Sequence, residues 1–184
     1  MAVFNKIYNL ESMPRATPIL ELALNTIKFG DKPTPRDAVV ILRNPIERRK
    51  FLAKYQDQLD EASHESWGEF ESMSSGQDAL ADPVVRRLRR FYSTNFMYAM
   101  FCHPDSLDFV QLIKQNKIIL VSLEVDKAKV PPSEQQLLGA LIVSQIELAA
   151  RKAGKPKPVD FRLYVDEAKN FIATSLPDLF DEIR

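Results

Sequence analysis

The chain has 184 residues, of which 45% are hydrophobic and 27% charged. That length suits one ordinary domain, or a domain with a small helical insertion, and the apolar content argues against wholesale disorder. Lysine plus arginine equals aspartate plus glutamate, 25 each, so no global field commits the chain to nucleic acid or membrane, and any basic function must be local. The single cysteine, Cys102, excludes an internal disulfide framework and fits a reducing compartment. No apolar run reaches membrane-spanning length, and the N-terminus lacks a basic region followed by an apolar one. A soluble, cytoplasmic chain is the expectation.

Residues 1–16 show no clean period and read as an irregular lead-in. Thr17-Pro18 then has the form of a helix start, Thr as N-cap and Pro at the first helical position. Ile19, Leu20, Ala23, Leu24 and Ile27 continue as an apolar stripe, stopped by Gly30, Pro33 and Pro35. A short helix is expected over Pro35–Leu42. Asn44-Pro45 opens the next, with Ile46, Phe51, Leu52, Tyr55 and Leu59 inward and Arg48, Arg49, Lys50 and Lys54 outward. An acidic helix around Ser63–Ser75 carries Trp67, Phe70 and Met73. Asp82-Pro83 has the form of another start, with Val84, Val85, Leu88, Phe91 and Tyr92 on one face and Arg86, Arg87, Arg89 and Arg90 on the other. Asn95–Phe101 continues as helix or a broken turn. Residues 17–102 therefore form an all-helical region.

The character changes near His103-Pro104. A short helix (Phe109–Gln115) leads into Lys117–Leu123, KIILVSL. This unbroken, β-branched apolar run predicts a strand buried on both faces. A long helix follows from Pro131-Pro132-Ser133 to about Ala153, and Gly154-Lys-Pro-Lys-Pro158 ends it. Val159–Val165 predicts a second strand, and a last helix is expected from Ser175 or Pro177 onward. Residues 103–184 thus read as strand–helix–strand–helix, by default a parallel βαβ unit with a right-handed crossover. Two strands make no stable doubly covered sheet, so a fragment of a larger α/β domain is expected.

The second strand ends in Asp166-Glu167. On spacing alone, the simplest reading is a strand that stops on two solvated acids. Other chemistry is sparse. Cys102-His103 has no second metal-ligand pair, and the other histidine is the distant His64, so zinc is not expected. Cys102 and His103 are adjacent and rarely face each other, which argues against a nucleophile and its base. Ser122, Ser133 and Ser144 lack the context of a nucleophile elbow. The four arginines read first as the solvated face of an amphipathic helix. Their alternative is sequence-blind contact with DNA phosphates.

Four strings carry a family resemblance: DPVVRRLRRFYSTNFMYAMF, SLDFVQLIKQNKIILVSL, QLLGALIVSQIELAARKAG and RLYVDEAKNFIATSLPDLFDEIR. In order and spacing, residues 82–184 resemble the motor domain of DNA-pumping P-loop ATPases. The nearest likeness is to the coupling proteins of conjugation and type IV secretion and their HerA-like relatives. The stretch around Trp67-Gly-Glu-Phe70 is similar to an upstream segment of that family. The resemblance implies an α/β chain: a partial RecA-like P-loop NTPase fold, preceded by an all-helical insertion over 17–102. It makes Leu163–Asp166 the Walker B element. Asp166 would serve the shell of a Mg²⁺ ion, and Glu167 would be the catalytic base that orients water toward the γ-phosphoryl group of ATP. It implies DNA as a sequence-independent partner, self-association into a ring expected to be a hexamer, and contact with a relaxase or secretion components. It allows attachment of a longer relative to the inner face of a membrane.

The sequence departs from the pattern at Ala168-Lys169, where the family has Phe-Gln, and no Gly-x-x-x-x-Gly-Lys-Ser/Thr occurs. Gly154-Lys155 follows a helix and precedes Pro156, so it is no phosphate loop. The isolated chain is accordingly expected neither to bind nor to hydrolyse ATP. Two other classes stand beside the motor: a non-catalytic helical binding module of a degenerate P-loop NTPase, and a small hydrolase using the carboxylates alone.

Overall fold

The computed structural model describes residues 14–73, 76–103, 105–123, 130–154 and 161–166. The chain divides into two compact units, Tyr8–Asp105, and Ser106–Arg184 together with Met1–Ile7.

Among the described residues the first unit contains six α-helices: α1 (Ala16–Ile27), α2 (Pro35–Arg43), α3 (Pro45–Lys54), α4 (Glu61–Ser72), α5 (Gln77–Arg89) and α6 (Asn95–Phe101). Short 3₁₀ turns at Gln56–Gln58 and Arg90–Tyr92 help connect them. Capping explains several boundaries. Thr34 and Asp37 form a reciprocal capping box before Pro35. The Asn44 side chain accepts from the Ile46 and Glu47 amides, and Asp60 and Thr94 cap α4 and α6 in the same way. Thr17 is not a cap: α1 starts one residue earlier, behind Arg15, with no side-chain cap. Asp82-Pro83 does not start a helix either, because α5 begins at Gln77 and carries Pro83 inside it. Gln77-Asp-Ala-Leu-Ala contains enough helix-forming residues to extend the helix upstream of the proline.

The core of this unit comes from α1, α2, α4 and α5, with Leu20, Ala23, Ala38, Ile41, Trp67, Phe70, Val84 and Leu88 all buried. Helix α2 packs against α5, and α1 packs against both. The Trp67 indole donates to Thr26 Oγ1 at 2.9 Å, and that hydroxyl donates in turn to the Leu22 carbonyl at 2.7 Å. The one indole N–H is therefore satisfied inside the core. Phe91 and Phe101 meet edge to face at 5.0 Å between centroids.

Helix α3 keeps Arg49, Lys50 and Lys54 outward and Phe51, Leu52 and Tyr55 at least half-buried, as expected, but departs at two positions. Arg48, predicted outward, is 1% exposed, and Ile46, predicted inward, is 66% exposed. The Arg48 guanidinium donates to the carbonyls of Ile41 and Leu42 and to Glu71 Oε1. Those carbonyls belong to the last turn of α2, which has no intrahelical donors for them. The Phe70 and Trp67 rings flank the same guanidinium, at 5.1 and 5.8 Å from their centroids.

The second unit contains α7 (Phe109–Lys114) and α8 (Pro132–Ala153), which pack together. Asn116 adopts left-handed geometry (φ 51°) just past α7. Its amide donates to the Ile113 carbonyl, and the Lys117 amide donates to Leu112. These are the two bonds of a Schellman ending, with asparagine in place of the usual glycine.

The expected α/β, RecA-like architecture is overturned here. Among the described residues the secondary structure is helical, with no strand and no sheet, so the parallel βαβ unit is absent from them. Residues 117–123 and 161–165 carry no helix or strand. A strand requires a neighbour to close its ladder of backbone hydrogen bonds. The apolar run KIILVSL has the composition of a buried strand without that burial: Ile118 is 89% exposed and Leu120 91%. The expected final helix lies outside the described residues.

Candidate functional site

Helix α8 anchors Phe161, two residues before the candidate Walker B stretch. Ala149 and Ala153 on its last two turns join Ile113 of α7 in a small buried cluster. Ile119 and Phe161 both pack against that cluster. The two apolar segments that sequence analysis singles out are thus anchored to one helical platform, each through one side chain. Ile118, Leu120, Val121, Leu163 and Tyr164 are exposed, and Leu123 and Val165 are half-buried.

Asp166 follows directly on the second segment, at a turn, and is exposed. It could offer one oxygen to a Mg²⁺ ion that keeps most of its waters, which is the usual way that ion is held. Glu167 lies outside the described residues, so its position beside Asp166 is known from the sequence only. Among the described residues there is no group of three or more His, Cys, Asp or Glu side chains able to enclose a metal. Nucleotide phosphates would have to be held by groups other than a phosphate loop, since the sequence has none.

The four candidate DNA-binding arginines do not share one environment. Arg86, Arg89 and Arg90 are exposed. Arg86 lies 3.9 Å from Asp82 one turn earlier. Arg87 is half-buried and donates to the Pro83 carbonyl at 3.0 Å. Arg89 hydrogen-bonds to Tyr92. Burial raises the Tyr92 hydroxyl above its usual pKa, against the pull of the Arg89 charge.

Helix α2 contributes two more arginines. Arg43 at its end bonds Asp78, at 2.6 Å, and Asp82 near the start of α5. Arg36 at its start acts electrostatically on Tyr92 beyond the end of α5. The helices therefore run antiparallel. One end of their shared surface is neutralised by Asp78 and Asp82. At the other, Arg36 and Arg89 both act on Tyr92. Sequence analysis missed Arg36 and Arg43; their seven-residue spacing, which puts both on one face of α2, was the available signal.

Cys102, beyond α6, is half-buried. Burial pushes its thiol above the usual pKa, with hydrogen bonds from the Arg36 backbone and Thr34 pulling the other way. Such a thiol is a poor nucleophile. No helix among the described residues is long and apolar enough to cross a membrane.

No family model, no curated protein and no solved structure matches the chain.

Proposed function

We propose that this chain supplies the Walker B side of an ATP-driven, DNA-translocating motor of the coupling-protein kind. The observation that carries the reading is the order of the four strings, ending in Val165-Asp166-Glu167. The exposed position of Asp166 and the anchoring of Phe161 and Ile119 on α8 support it. In this reading Asp166 serves the Mg²⁺ shell and Glu167 orients the attacking water. A separate phosphate-binding half holds ATP, and the exposed face of Ile118, Leu120 and Tyr164 is apolar surface that such a half would cover. Arg86, Arg89 and Arg90 touch DNA phosphates without reading sequence, while Arg87, turned toward its own helix, contributes less.

The test is turnover in a protein that joins this chain to a phosphate-loop half. DNA-stimulated, Mg²⁺-dependent ATP hydrolysis is expected. Glu167→Gln should keep nucleotide binding and lose turnover, and unchanged turnover would sink the assignment.

A second reading, a non-catalytic helical binding module, is favoured by one observation. Helices α1 to α6 close a core of their own and the described residues contain no sheet. Retained folding and partner binding, with no DNA-stimulated turnover in the joined protein, would select it.

A further inference from the structure

Where α1 ends, the loop to α2 and the end of α3 enclose a notch of about 240 Å³. Gly30, Asp31, Asp37, Phe51, Lys54 and Tyr55 contribute to its lining. We propose that this notch is a recognition site for a single arginine side chain of a partner protein. The proposal is independent of the motor reading.

Size is the first argument. Pockets for drug-sized ligands run from roughly 300 to 1,000 Å³, so this one suits a side chain. Gly30 keeps it open: a Cβ there would stand 3.3 Å from the Phe51 ring and 3.1 Å from the Ile27 carbonyl.

Electrostatics is the second. Two helices, α1 and α3, bring their C-terminal ends to this corner, where the partial charge is negative, and the positive N-terminal end of α2 at the same corner is capped by Asp37. Asp31 and Asp37 add two carboxylates against the one ammonium of Lys54. Asp37 is held in place because its Oδ2 accepts from both the amide and the hydroxyl of Thr34, each at 2.8 Å. Asp31 is exposed and open to a ligand.

The third argument is aromatic. The Phe51 and Tyr55 rings lie 4.6 Å apart at 45° and form one wall. A cation of this chain already settles on this wall: Lys54 Nζ lies 5.0 Å from the Tyr55 centroid. A guanidinium fits better than an ammonium, because it stacks flat on a ring while its edge forks to a carboxylate. The same unit already holds one guanidinium by a ring and a carboxylate together: Arg48 lies 5.1 Å from the Phe70 centroid and donates from Nε to Glu71. Lys54 competes with the ligand for the Tyr55 face, and its flexible stem lets it leave.

The test is a titration of the ¹⁵N-labelled chain at low salt with N-acetyl-arginine methylamide, against its neutral citrulline counterpart. The arginine probe should shift the amides of Gly30, Asp31 and Tyr55, and the citrulline probe should not. Asp31→Asn, at an exposed position that leaves folding intact, should weaken binding about threefold to fivefold. Lys54→Ala should tighten it, and Gly30→Val should abolish it. Equal response to the two probes, silence at those amides, or an affinity indifferent to Asp31→Asn would overturn the proposal.

Discussion

The helical unit and the segment after it solve the same problem with different success. In helices α1 to α6 the backbone satisfies itself within each element, so only one stripe per helix needs a partner. Each of α1, α2, α4 and α5 finds one, and the remaining exposed apolar side chains, such as Ile46 and Met100, are scattered. Residues 117–123 and 161–165 are just as apolar but form neither helix nor strand, and such a segment needs a neighbour for its backbone as well as its side chains. Helix α8 covers one side, through Ile119 and Phe161. The opposite side stays bare, with Ile118 and Leu120 about nine-tenths exposed and Tyr164 at 84%. Helices can thus be complete on local terms where an apolar run outside helix and sheet cannot.

The largest expected effect lies in the unit that is already closed. Arg48→Met removes the donor for the Ile41 and Leu42 carbonyls and leaves Glu71 without its buried partner. Loss of about 3 kcal/mol is expected, as for a buried charge pair broken from one side. Ile46→Ser on the same helix should change stability by less than about 0.5 kcal/mol. Urea unfolding followed by Trp67 fluorescence compares the two. A lower midpoint for Ile46→Ser than for Arg48→Met would mean that Ile46, not Arg48, is the buried residue.

The exchanged places of Arg48 and Ile46 show where the sequence was readable. The Asn44 cap was legible because it is local, reaching amides two and three residues on, whereas Thr17-Pro18 and Asp82-Pro83, of the same form, start no helix. The stripe of Trp67 and Phe70 was legible because helical period alone sets it. Arg48 was not. Its burial depends on the free carbonyls of another helix and on a carboxylate 23 residues away. The strands were misjudged for a related reason. Composition reports that a run can be buried in a sheet, whereas a sheet also requires neighbours, which composition does not report. For the candidate site, Asp166 was named from its neighbours in sequence. The notch beside Gly30 was invisible, because its walls come from three elements.

A smaller effect tests the bare segment itself. Ile119→Ala should cost about 1–2 kcal/mol, since Ile119 packs on the Ile113–Ala149–Ala153 cluster. Leu120→Asp, one residue on, should leave stability within about 0.5 kcal/mol and raise solubility. Thermal unfolding and light scattering separate the two outcomes. A large loss in Leu120→Asp would show that this side chain is covered in solution, and the contrast between the two regions would fail.

The smallest effect concerns the acid limit of the closed unit. Asp60 caps α4, the helix that carries Trp67, and its Oδ1 accepts from the Ser63 amide at 2.8 Å. Its carboxyl lies below the ordinary value of 3.8, first because of the hydrogen bond with the Ser63 side chain, then because of the Ser63 amide. The folded chain therefore holds this proton more weakly than the unfolded chain does. A lowered pKa contributes stability that is present above the ordinary carboxylate value and is lost as pH falls through the lower folded one. Asp60→Asn keeps a capping side chain but cannot titrate. Below about pH 4 the wild-type urea midpoint should fall toward that of Asp60→Asn, while the two should stay apart at neutral pH. A gap between the curves that stays constant through the acid range would mean that the cap carries no charge-dependent share. The acid sensitivity of this unit would then have to arise from its ion pairs, such as Arg43 with Asp78 and Asp82.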